Sequence, residues 1–211
     1  MWMQQENSNF MDAKDLYALI LRQYPETGEY QICDLHKPCV DSRKCSITTP
    51  SHLINFDEVE IAVDKGKPSR ASVDAVTVSG NKFCFVEIKG WMEFLKYNEP
   101  KETKIKKQAS NYNLHEKLRA SEKICIEITN CSELFREIPE VFILVTDIDV
   151  KTNGIESFQY NLLALSETSS DWESLCNRFL ENELNKQITT IPKYYENCRH
   201  LEERMKEIMR L

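Results

Sequence analysis

The sequence predicts a mixed α/β protein, a central β-sheet covered by helices. Three observations carry this. The apolar runs SVDAVTVS and KFCFVEIK meet at Gly80-Asn81 as the arms of a hairpin do. The unbroken run VFILV, residues 141–145, suits a central strand covered on both sides. Segments with helical spacing precede and follow these strands, the pattern of a sheet between layers of helix.

Taken in order, MDAKDLYALILRQY (11–24) spaces Leu16, Leu19, Ile20 and Tyr24 as a helix. Residues 30–53 read as a loop region rich in Cys, Ser, Thr and Pro. INFDEVEIAVDKG fits a helix through Phe56, Val59 and Val63 and a strand through Val59, Ile61 and Val63; helix is preferred, ending near Gly66 and Pro68. After the hairpin come a basic polar helix over about 103–123, an alternating strand ICIEI (124–128), the VFILV strand and a further strand, FQYNLLAL. Two helices finish the chain: DWESLCNRFLENELNKQ after Ser169-Ser170, and KYYENCRHLEERMKEIMRL after Pro192. In the last, Tyr194, Cys198, Leu201, Met205 and Ile208 recur at spacings of 4, 3, 4 and 3, a coiled-coil seam. That seam either packs on the protein's own sheet or joins a second copy or a helical partner subunit.

The 211 residues suffice for a single domain, 1–211, with a core at about 54–165 and C-terminal helices at about 170–211. A composition of 41% hydrophobic and 29% charged residues is that of a folded chain. No apolar run reaches the ~20 residues of a membrane span, and MWMQQENSNF lacks the features of a secretory signal, so a cytoplasmic location without membrane attachment is expected. The eight cysteines then read as reduced thiols. Cys33, His36, Cys39 and Cys45 cluster within thirteen positions, but their spacing matches no defensible zinc pattern. A structural Zn²⁺ there is the lesser reading beside a metal-free cysteine-rich loop. A net charge of −7 excludes a generally basic surface, and none of the five glycines forms a phosphate-cradling loop.

The hairpin supplies the chemistry. If Ser79 faces Lys82 across a II′ turn, Asp74 falls opposite Glu87 and Ser72 opposite Lys89. Asp74, Glu87 and Lys89 then gather at one end of one face, far from the turn. Both faces are otherwise apolar, so these charges stand in a buried sheet. Two facing carboxylates repel unless a cation lies between them, and a hard divalent ion satisfies both.

An Asp on one strand followed by Glu-x-Lys on the next resembles the catalytic core of the PD-(D/E)xK nuclease superfamily, over about residues 54–130. Val73 stands where the name-giving proline would be. The resemblance implies a restriction-endonuclease-like core of the α-β-β-β-α-β type. It also implies Mg²⁺ or Mn²⁺ held by Asp74, Glu87 and the backbone carbonyl of Ile88, with Lys89 acting on water and phosphate. Gln108-x3-Tyr112 is similar to the QxxxY element of the RecB-type exonuclease branch, beside a reading in which Tyr112 only packs on the core. Many members carry another acid on the helix before the first strand, for which Glu58 and Glu60 are the candidates. Residues 101–123 hold seven basic and three acidic residues, a local balance of +4. Beside an acidic metal site, Lys104, Lys106, Lys107, Lys117 and Arg119 would guide a phosphate backbone. The family implies a nuclease acting on nucleic acid, DNA before RNA, similar to effectors of bacterial anti-phage or restriction systems. The alternative is a nuclease-like fold used as a non-catalytic interaction subunit, and loss of a triad member would have favoured it.

Overall fold

The structure, a computed structural model, describes residues 11–35, 52–66, 70–97, 101–148 and 172–211. Asp12 starts the first helix, α1 (Ala13–Gln23), with a capping box: its carboxylate accepts the N–H groups of Lys14 and Asp15 at 2.8 Å each. A one-turn helix, α2 (Ile32–Leu35), and a short strand, β1 (Ile54–Asn55), lead into α3 (Phe56–Val63). The helical reading of this segment holds: Phe56 and Val59 are buried, while Ile61, which strand alternation would bury, is 40% exposed.

The hairpin β2 (Ala75–Ser79) and β3 (Lys82–Lys89) has the expected register, Ala75 facing Val86 and Ser79 facing Lys82. Gly80 has φ +63° and Asn81 does not have positive φ, the pattern of a II′ turn. Four helices follow: α4 (Met92–Tyr97), α5 (Glu102–Ser110), α6 (Leu114–Thr129) and α7 (Leu134–Glu137). Next comes β4 (Glu140–Thr146), the expected central strand, then α8 (Trp172–Gln187), β5 (Lys193–Asn197) and α9 (Leu201–Arg210). The sheet is mixed, in the order β1-β2-β3-β4-β5, antiparallel from β1 to β3 and parallel from β3 to β5.

Three expectations need correction. The basic segment is two helices, because Asn113 takes the left-handed conformation (φ +50°) between α5 and α6. ICIEI is the end of α6, not a strand. Ile124 and Cys125 continue the buried stripe of Leu114, Leu118 and Ser121 in helical phase, so the helix runs on through an alternation that is only local. The C-terminal segment is not one helix. KYYEN pairs with β4 as β5, so Tyr194 belongs to a strand and the coiled-coil seam does not form. Leu201 and Ile208 of α9 are instead fully buried on the protein's own sheet. The expected strand FQYNLLAL lies outside the described residues.

Strand alternation divides the core in two. Val76, Phe83, Phe85, Phe142 and Leu144 share one face with the buried side chains of α1, α5, α6 and α8. Ala75, Cys84, Val86, Ile143 and Val145 share the other with Ile32, Leu53 and α9. Polar bonds fix α9 to the hairpin: Ser79 Oγ donates to the Met205 carbonyl at 2.5 Å and Lys82 Nζ to the Ile208 carbonyl at 2.9 Å. A β-carbon on Gly80 would stand 3.5 Å from the Met209 backbone, so glycine serves both the turn and this contact. Arg204 of α9 pairs with Glu196 of β5 at 2.9 Å. Cys84, Cys125, Cys131 and Cys176 are free thiols; His36, Cys39 and Cys45 lie outside the described residues. Among the described residues, no helix is long and apolar enough to cross a membrane.

Because Leu201 is a core residue, Leu201→Ala should cost about 2–5 kcal/mol in denaturant unfolding. A midpoint unchanged from wild type would return α9 to the role of an external docking element.

Candidate active site

The hairpin ladder ends at Ala75 and Val86. One step further it would pair Val73 with Ile88, but the chain leaves the ladder there. The Val73 N–H turns to Ser121 Oγ of α6 at 3.0 Å. The Ile88 N–H, left without a strand partner, donates to Asp74 Oδ2 at 2.6 Å. The Asp74 carbonyl accepts from Phe56 N–H at 3.1 Å, at the start of α3. Asp74 is thus pinned between α3 and β3, with its carboxylate beyond the last rung.

Glu87 lies on the larger core face and is 0% exposed. The Lys89 ammonium rests against its Oε1 and stands 3.7 Å from Asp74 Oδ2. A second ammonium comes from α6: Lys117 Nζ is 3.0 Å from Glu87 Oε1, 3.7 Å from Asp74 Oδ1 and 2.8 Å from the Ser72 carbonyl. The expected triad therefore converges, and it has a fourth member. Burial, and then the charge of Asp74, push the Glu87 carboxyl up to about 7, against the pull of Lys89 and Lys117. Burial disfavours the Lys117 ammonium, but Glu87 and Asp74 outweigh it and raise its pKa.

Lys117 was expected on a phosphate-guiding surface; it is inside the cluster instead. A cation beside the apolar stripe of α6 is the only hint its sequence carries, because seeing its role requires knowing that α6 crosses the end of β2. The additional acid is also displaced. Glu60 is buried and accepts from Arg70 N–H (2.8 Å) and Ser72 Oγ (2.7 Å), so it secures the segment leading to Asp74. Glu58 is exposed. Asp57, in the first turn of α3 and exposed like Glu58, also feels the site: partial loss of solvent and then the Asp74 charge push it up to about 6, with Lys117 and Lys89 opposing. Its neighbours in sequence are equally acidic, so only the helix's rotation distinguishes it.

Tyr112 is half-buried at the cluster, its ring centroid 5.1 Å from Lys89 Nζ, a cation–π distance. Burial raises the phenol pKa, and Gln108, one turn before, pulls it the other way. The i, i+4 pair thus reaches the site through Tyr112. Lys104, Lys106 and Lys107 are exposed on α5. Arg119 is paired with Glu122 at 3.1 Å. Asp147, after β4, also escaped sequence reasoning; it accepts the N–H groups of Trp91 (2.7 Å) and Met92 (3.2 Å) and so turns the chain after β3.

The donor set suits a hard divalent ion. Both Glu87 oxygens are buried, and among the described residues the ammonium groups of Lys89 and Lys117, both at Oε1, compensate the carboxylate. Asp74 supplies further carboxylate oxygen, and the Ile88 carbonyl points to the same side as its N–H. Among the described residues, no three His, Cys, Asp or Glu side chains stand together as a complete coordination group. Compared with protein-family models, curated proteins and solved structures, the chain matches none of them.

A pH dependence follows. The folded pKa of Glu87, about 7, exceeds its ordinary 4.5. Its contribution to stability is therefore complete below the ordinary value and lost as pH rises through the folded one. In metal-free buffer, Glu87→Gln should gain melting temperature relative to wild type between about pH 5 and pH 8. A constant difference across that range would mean that Glu87 does not titrate there.

Proposed function

We propose that this protein is a metal-dependent nuclease that hydrolyses phosphodiester bonds. One observation carries the reading: Asp74, just before β2, and Glu87 and Lys89 of β3 meet at one sheet end, with the Glu87 carboxylate fully buried. The α3-β2-β3 order leading to that end agrees with a restriction-endonuclease-like core. Asp74 and Glu87 would hold Mg²⁺ or Mn²⁺ with the Ile88 carbonyl. The bound ion would supply Lewis acidity toward a phosphodiester oxygen. Lys89, restrained over the Tyr112 ring, orients the attacking water and offsets charge growing on the phosphate. Lys104, Lys106 and Lys107 give α5 an exposed positive face, and the last two adjoin Gln108 in its final turn. DNA is the substrate the family resemblance favours over RNA, in a setting such as bacterial anti-phage defence or restriction.

A second reading has its own support. Two ammonium groups already face the two acids, a closed cluster that suits a non-catalytic nuclease-like subunit of a larger complex. Plasmid and single-strand cleavage with Mg²⁺ or Mn²⁺, repeated with EDTA, separates the two. Metal-dependent cleavage supports the enzyme; no cleavage of either substrate supports the subunit.

Within the nuclease reading, Lys89→Ala should lower the cleavage rate by about two orders of magnitude or more while the protein stays folded. Near wild-type cleavage by that variant would remove Lys89 from the chemistry.

Lys106→Glu with Lys107→Glu should weaken nucleic-acid binding for every sequence and reduce the log–log salt slope by about one unit per lost contact. An unchanged slope in filter-binding titrations would place the backbone path elsewhere.

A further inference from the structure

We propose that Lys117 is a resident cation of the candidate metal site, holding the place between Glu87 and Asp74 until a divalent ion enters. This rests on the reading of those two acids as metal ligands. Lys117 Nζ lies 3.0 Å from Glu87 Oε1 and 3.7 Å from Asp74 Oδ1, so it already bridges the pair that a metal would bridge. Lys89 touches the same two acids, so two ammonium groups face two carboxyl groups. An ion bound to both carboxylates at the usual 2.0–2.6 Å would meet this ammonium at close range, where like charges repel strongly.

Of the two lysines, Lys117 is the one built to yield. Lys89 projects from β3 beside Glu87 and has the Tyr112 ring beneath it. Lys117 reaches in from α6, and its bond to the Ser72 carbonyl, 2.8 Å, is independent of the acids. An ammonium has three donors, so it can keep Ser72 and release the carboxylates. The metal-free fold thereby avoids two uncompensated acids at the sheet end, and metal binding has to overcome a cation supplied by the chain itself. Lys117 is a positioning residue in this scheme; the proposal gives it no contact with substrate.

Calorimetric titration of Mn²⁺ into the full chain tests this with no reference to cleavage. Lys117→Gln removes the charge and retains a donor for Ser72, whereas Lys117→Arg retains the charge. Lys117→Gln should bind Mn²⁺ about tenfold or more tightly than wild type. Lys117→Arg should bind no more tightly than wild type, and Asp74→Asn combined with Lys117→Gln should lose the gain. Equal or weaker binding by folded Lys117→Gln would overturn the proposal. So would a Lys117→Gln variant that unfolds while Lys117→Arg stays folded, since the charge would then be a permanent part of the core. Tighter binding without cleavage of any nucleic acid leaves the resident cation standing and removes the nuclease reading. Metal-dependent cleavage with unchanged affinity in Lys117→Gln does the reverse.

Discussion

A carboxylate with no solvent contact, on the third of the five described strands, is the constraint around which this structure is arranged. Glu87 cannot stay charged at that position unless positive charge is brought to it. Lys89 comes from two residues along the same strand face. Lys117 has to come from elsewhere, and supplying it requires α6 to cross the end of the hairpin. Once α6 is there, Ser121, one turn beyond Lys117, takes the Val73 N–H, and Lys117 takes the Ser72 carbonyl. These two bonds draw residues 72–73 away from the ladder and leave the Ile88 N–H to the carboxylate of Asp74. Neutralising one acid and aiming the other are thus consequences of the same helix position.

The remaining elements protect that arrangement. Because β3 and β4 are parallel, their C-terminal ends lie together, and Asp147 beyond β4 can cap the chain as it leaves β3. Trp91 then packs edge-on against Phe94 and Tyr112, which places an aromatic wall beside Lys89. The opposite face of the sheet carries none of this chemistry. It is closed by α9, held through Ser79, Lys82 and the Arg204–Glu196 pair. The charged cluster of Asp74, Glu87, Lys89 and Lys117 lies on one face at one end, and the other face adds apolar burial beside these polar fastenings.

What could be read from the sequence is what depends on short range. The hairpin register follows from a two-residue turn with Gly first, and it alone brings Asp74, Glu87 and Lys89 to one end of one face. The helical phase of α1 and α3 and the central position of VFILV follow from local spacing and from the length of apolar runs. Local patterns also misled. ICIEI alternates like a strand yet continues a helical stripe, and KYYENCRHLEERMKEIMRL keeps heptad spacing across what is strand, turn and helix. In both, a neighbouring element decided: the buried stripe of α6 in the first, the open edge of β4 in the second.

Tertiary structure alone decided which charges enter the site. Lys117 and Arg119 lie two residues apart on one helix, but one is held by Glu87 and Asp74 and the other by Glu122. Asp57, Glu58 and Glu60 share one helix, but burial and then the charge of Asp74 act on Asp57, while Glu60 is committed to Arg70 and Ser72. Residue type and strand register determined by themselves that acids and a lysine would meet in a buried sheet, because pairing across a tight turn is a local geometric matter. Which further cation and acid would join them depended on the rotation and placement of α3 and α6, which are settled by packing between segments distant in sequence.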